Sequence, residues 1–140
     1  MSSIVVKNFN HADEVRTPDK TKAEVVELGN VTAMKITLEP GWRWSECIKP
    51  VVGTESCQKR HVGMLVSGKM KVVNDDGSEA VVSAGDAYVF EPGHDGWVIG
   101  DERLRSVMNL RVPLRQPTPN PDQFRGVFGL PVSPFSLKQA

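Results

Sequence analysis

The stretch from His61 to Trp97, HVGMLVSGKMKVVNDDGSEAVVSAGDAYVFEPGHDGW, constrains the fold more than any other part of the chain. Apolar and polar residues alternate through it in short runs, and each run ends at Gly, Asn, Asp or Pro. Side chains on a strand point to its two faces in turn, so this pattern predicts half-buried antiparallel strands. Val62 to Val66 and Lys69 to Val73 read as a hairpin around Ser67-Gly68. Asn74-Asp75-Asp76-Gly77 turns the chain into Glu79 to Ser83, and Ala84-Gly85-Asp86 turns it into Ala87 to Phe90. Glu91-Pro92-Gly93 then breaks the pattern before His94. The expectation is an antiparallel meander with a histidine at each end.

The flanks extend the same reading. Ala23 to Leu28 and Val31 to Glu39 form a hairpin on Gly29-Asn30, with Thr32, Met34, Ile36 and Leu38 on its inner face. Ile4 to Phe9 is an edge strand or a packing arm, and residues 10–22 are a connecting loop carrying a solvent-exposed His11. Pro40-Gly41 leads into Trp42 and Trp44, which share one side of an extended segment and cap the core. Residues 48–58 read as a loop, Trp97 to Ile99 and Leu104 to Val112 complete the strand set, and no amphipathic helix is evident. Six of the ten prolines fall between Pro113 and Pro134, yet Phe124, Val127, Phe128, Leu130 and Phe135 make that segment too apolar for a solvated tail. It is expected to pack over an open sheet edge or a neighbouring subunit. The organisation is therefore a barrel over residues 1–112 with a Pro-rich segment over 113–140.

Seventeen basic residues balance seventeen acidic ones, so no global field favours nucleic acid or an anionic membrane as a partner. No apolar run approaches the roughly 20 residues needed to span a bilayer, and the N-terminus lacks a basic start and a cleavage site. A cytoplasmic location is the expectation. Cys47 and Cys57 fit no zinc template by spacing, and two free thiols are the simplest reading, with a bridge between them as the alternative. There is no P-loop, dinucleotide glycine motif or Ser-His-Asp pattern.

About ten short strands with regular turns suit a closed or double-sheet barrel of jelly-roll type. With Pro40-Gly41-Trp42, Val66-Ser67-Gly68, Gly85-Asp86 and Pro92-Gly93 in view, the chain resembles the cupin superfamily, in particular its small single-domain members. The resemblance covers roughly Val31 to Val112 and implies an all-β double-stranded β-helix. Its first motif places two histidines and a glutamate between two glycines. Counted from Gly41, the histidine slots fall on Cys47 and Lys49; counted back from Gly68, the glutamate slot falls on His61. The chain thus carries an insertion of about seven residues within that motif, between Lys49 and His61. The second motif puts its histidine slot on Gly96, while His94 stands two positions earlier.

What the resemblance implies is a transition metal (Zn, Fe, Mn, Ni or Cu) on an inner wall, here with ligands drawn from Cys47, His61, His94 and Glu46. Cys47 and Glu46 point oppositely in a regular strand, so one of the two completes the set. Trp44, Tyr88, Trp97 and Met108 are the expected lining of a ligand pocket. Two functions are open: a metal cupin that binds or acts on a small organic molecule, and a non-enzymatic small-molecule-binding or sensory cupin without metal. A structural barrel that acts through a partner by its Pro-rich segment is the third. The resemblance also implies a homodimer.

Overall fold

The computed structural model describes residues 3–109. The Pro-rich segment and the end of the last expected strand lie outside these described residues. Among them are nine strands: β1 (Glu14–Arg16), β2 (Thr21–Leu28), β3 (Val31–Leu38), β4 (His61–Ser67), β5 (Lys69–Asn74), β6 (Glu79–Ser83), β7 (Ala87–Phe90), β8 (His94–Val98) and β9 (Leu104–Asn109). Two single-turn helices, α1 (Trp44–Cys47) and α2 (Lys49–Val52), interrupt the strands between β3 and β4. The strands form a six-stranded sheet in the order β1-β2-β3-β9-β4-β7 and a three-stranded sheet in the order β6-β5-β8. All pairings are antiparallel. The architecture is all-β and of jelly-roll type, as the strand pattern requires.

The topology corrects the meander. Ser67-Gly68 does not close a hairpin: β4 pairs with β7 and β9, whereas β5 pairs with β6 and β8. The chain changes sheets at Gly68, again between β6 and β7, and again between β7 and β8. Only Asn74 to Gly77 makes a true hairpin within this stretch, its Gly77 at φ +92°. Gly68 has φ +84°, and a Cβ there would stand 2.8 Å from the Leu104 Cα, so the corner needs both the left-handed backbone and the bare α-carbon.

The β2–β3 hairpin forms as expected, in register from Thr21↔Leu38 to Leu28↔Val31. Thr32, Met34 and Leu38 are buried and Ile36 is half-buried, which makes theirs the inner face. Of the two N-terminal expectations the edge strand is not formed: Ile4 and Val6 are exposed and outside any strand, and the first strand is β1, inside the expected loop. Glu14 to Arg16 pairs there with Ala23 to Val25, a contact that its polar sequence does not announce. Trp42 and Trp44 are buried in the core with Leu38, Leu65, Val72 and Leu104, and the Trp42 indole N–H donates to Thr21 Oγ1 at 2.9 Å.

Registers across the larger sheet place inner-face residues in rows. One row runs Met34, Met108, Gly63, Tyr88. The next, towards one end of the barrel, carries His61 beside Phe90. A cavity of about 710 Å³ occupies the interior beside these rows.

Candidate metal centre

His61 opens β4 and His94 opens β8, so the two sheets deliver them from opposite sides. The third member is Cys57. After α2, Gly53 (φ +78°) ends the helical turn with its N–H on Lys49 O at 2.8 Å. The chain then runs back beside β8, where the Cys57 N–H donates to His94 O and the Gly93 N–H donates to Cys57 O, both at 2.8 Å. Cys57, His61 and His94 each present one ligand atom, and all three atoms lie within 4.8 Å of one another.

Cys57 Sγ is 3.4 Å from His61 Nε2. His94 Nδ1 is 2.7 Å from Glu91 O; a carbonyl only accepts, so Nδ1 carries the proton and Nε2 is the free donor atom. His61 Nδ1 is buried and has no hydrogen-bond partner. The two imidazoles meet edge to face, with centroids 5.2 Å apart. Phe90 packs on His94 at 5.4 Å and stacks on Tyr88 at 4.1 Å, which extends an aromatic wall into the cavity. The Tyr88 hydroxyl is 2.6 Å from Ser106 Oγ, and Ser106 in turn donates to Met64 O at 3.0 Å.

The electrostatics keep both histidines neutral. Burial, then the neighbouring His94 and the Lys59 charge, lower the His61 pKa to about 4. Burial lowers that of His94 as well, against the Glu91 carbonyl and the Asp95 carboxylate, which favour the proton. Burial raises the Cys57 thiol, opposed by a hydrogen bond from the Lys59 backbone N–H and by the Lys59 charge. Neutral imidazoles are the protonation state that a metal needs of its histidine ligands, whereas the Cys57 thiol has to give up its proton when a metal binds.

The donor set fits a transition metal. Zinc–sulfur and zinc–nitrogen bonds of about 2.3 and 2.0 Å at a tetrahedral angle separate the two ligand atoms by roughly 3.5 Å, close to the observed 3.4 Å between Sγ and Nε2. Sulfur with two imidazoles selects borderline and soft ions such as zinc, iron, nickel or copper over magnesium, calcium or manganese. Three protein ligands beside an open cavity leave room for a further ligand.

The two candidates expected for the third ligand lie elsewhere. Residues 44–47 are helical, not extended, so the strand parity used for Cys47 and Glu46 does not apply. Cys47 is buried in the core with its Sγ 3.8 Å from Asp19 Oδ2, and Glu46 is exposed. Neither joins the cluster, and Cys57 stands where one of them was expected. Both cysteines are free thiols. Trp44, Tyr88 and Met108 line the cavity. Trp97 does not; it carries the Arg43 guanidinium 4.5 Å over its ring. Cys57 was missed because residues 48–58 read as featureless loop. Its position four residues before His61, inside the insertion, was the available signal.

No family model and no curated protein matches this chain in sequence. Solved structures match its fold. A Rhizobium leguminosarum protein of unknown function aligns with a TM-score of 0.59 at 16% identity, over 80% of this chain and 100% of that one. A sugar phosphate isomerase of the cupin superfamily from Silicibacter pomeroyi aligns with a TM-score of 0.52 at 18% identity, over 76% and 75% of the respective chains. The iron(II) form of HppE aligns with a TM-score of 0.56 at 8% identity; 78% of this chain matches 60% of that one.

Proposed function

We propose, for a chain that has the cupin fold, that Cys57, His61 and His94 bind one divalent transition metal and that the adjoining cavity binds or acts on a small organic molecule. The observation that carries the reading is the convergence of three donor atoms within 4.8 Å on the wall of a 710 Å³ cavity. Such a volume is ordinary for a small-molecule site. The iron in one structural neighbour supports metal chemistry on this fold.

A metal held there would supply Lewis acidity towards a ligand oxygen, or an acidified bound water. The chain's own groups do the rest. Glu91 O fixes the His94 ring and tautomer, as outer partners of ligating histidines do. The main-chain pairing of Cys57 with His94 holds the thiol in place independently of any ion. Trp42, Trp44, Tyr88 and Phe90 keep the cavity wall apolar, which strengthens polar contacts made within it.

Elemental analysis of freshly purified protein tests the proposal, with about one equivalent of metal expected and loss of it in His61→Ala. Protein that is metal-free as purified and refuses metal on reconstitution favours the second reading, a binding or sensory cupin without metal. The cavity supports that alternative, since its lining is mostly apolar and a ligand could be recognised there without chemistry. A cytoplasmic homodimer belongs to the same proposal. Among the described residues no helix is long and apolar enough to cross a membrane. Light scattering should return twice the 15.4 kDa chain mass.

A further inference from the structure

Four Asp, Glu, Lys or Arg side chains line the cavity: Glu14, Arg16, Glu27 and Lys59. Arg16 is closed off, because its Nε and Nη2 donate to the two oxygens of Glu14 at 2.7 and 3.0 Å. Glu27 accepts the Thr32 hydroxyl at 2.8 Å. Lys59 has no ion pair or side-chain hydrogen bond with any described residue. It stands two residues from Cys57 and two from His61, in the segment that seats the thiol. Its charge is close enough to be felt by both groups.

The rest of the wall is the reverse of polar. Trp42, Trp44, Met34, Tyr88, Phe90 and Met108 offer aromatic and thioether surface, with Tyr88 and Phe90 stacked at 4.1 Å. Two lining charges thus lack an ion pair, the Glu27 carboxylate on β2 and the Lys59 ammonium two residues from both Cys57 and His61; a molecule with an apolar body and a single anionic end complements the apolar wall and Lys59 beside the donor cluster. We infer that the cavity takes small monocarboxylates with an apolar, ring-sized body, and that Lys59 holds the carboxylate beside the Cys57–His61–His94 cluster. The inference rests on the cavity being the ligand site, as proposed above, but not on the cluster holding a metal. A carboxylate met by an ammonium gains a charge-assisted hydrogen bond. The apolar body gains burial against the aromatic wall.

The test uses one scaffold with three end groups: phenylacetate, phenylacetamide and 2-phenylethylamine, titrated against the full chain by calorimetry. Phenylacetate is expected to bind at least fivefold tighter than the amide, with the amine weakest. Lys59 is exposed, so Lys59→Met should fold; in it the acid and the amide should come within twofold, while Lys59→Arg should keep the preference. Equal binding of acid and amide by the wild type overturns the inference. So does a preference for the amine, which would make Glu27 the recognising group, or an acid preference that survives in Lys59→Met. The same titrations on chelator-treated protein, with metal content measured on each sample, separate this inference from the metal proposal. A Lys59-dependent acid preference in protein that never takes up metal sinks the metal and leaves the carboxylate. A metal-loaded protein whose acid preference ignores Lys59 does the opposite.

Discussion

Cys57 and His94 are joined through their main chains: the Cys57 N–H donates to His94 O, and Cys57 O accepts the neighbouring Gly93 N–H, both at 2.8 Å. The thiol and the imidazole are therefore brought together by backbone pairing, and replacing the sulfur should not move the loop. Cys57→Ser is expected to stay folded and lose at least tenfold in metal affinity. Cys47→Ala, which alters a core thiol facing Asp19, should bind metal like the wild type at some cost in stability. Parallel zinc titrations of the two variants check this. If Cys47→Ala loses the metal and Cys57→Ser keeps it, the site has been assigned to the wrong cysteine.

The metal-free protein should lose stability in mild acid. His61 titrates at about 4 in the folded chain against 6.5 for a free imidazole, because burial penalises its charge. Above the unfolded value neither state holds the proton and the group contributes no pH dependence. Between pH 6.5 and about 4 the unfolded chain takes up the proton and the folded chain does not, so stability falls with pH. The loss from His61 is at most about 3–4 kcal/mol, and His94, shifted in the same direction, adds to it. Urea unfolding with chelator present, at pH 7.5 and at pH 4.5, measures the slope. His61→Phe should reduce it; an unchanged slope would remove His61 as its source.

The strands were legible because alternation and glycine punctuation report local geometry, and those residues do form strands. Their partners were less so. Ser67-Gly68 and Asn74 to Gly77 look alike in sequence, yet one is a sheet-to-sheet corner and the other a hairpin, because pairing is decided by what the barrel packs against each strand. Likewise His61 and His94 stood out as the ends of a patterned stretch. Cys57 did not, since an insertion has no periodicity from which to read a side chain's direction. The inner face of β3 was legible from its apolar set. The position of Cys47 was not, because α1 is a single helical turn held by tertiary contacts.

Gly63 lies in the interior row, where Tyr88 crosses to reach Ser106. A Cβ on Gly63 would stand 2.5 Å from Val107 O and 2.9 Å from both the Met108 Cβ and the Tyr88 hydroxyl. Gly63→Ala should destabilise the fold by about 1–3 kcal/mol, the usual cost of overpacking. Removing the tyrosine hydroxyl as well, in Gly63→Ala/Tyr88→Phe, should rescue little of it, because the worst clash is with backbone. Thermal melts of the single and double variants decide this. Full rescue by Tyr88→Phe would place the conflict at the hydroxyl instead.

Gly68 and Gly77 both have positive φ, +84° and +92°, but their surroundings differ. Nothing lies within 4 Å of a Cβ built on Gly77, whereas one on Gly68 meets Leu104 Cα at 2.8 Å and Arg103 O at 3.2 Å. Gly77→Ala should therefore cost only the left-handed backbone, about 1–2 kcal/mol. Gly68→Ala carries the same backbone cost plus the clash, for about 2–5 kcal/mol in all. Chemical denaturation of the two variants compares the turns directly. Equal losses would mean that Gly68 sits in an open hairpin like Gly77, and that the chain does not change sheets against Leu104 at that point.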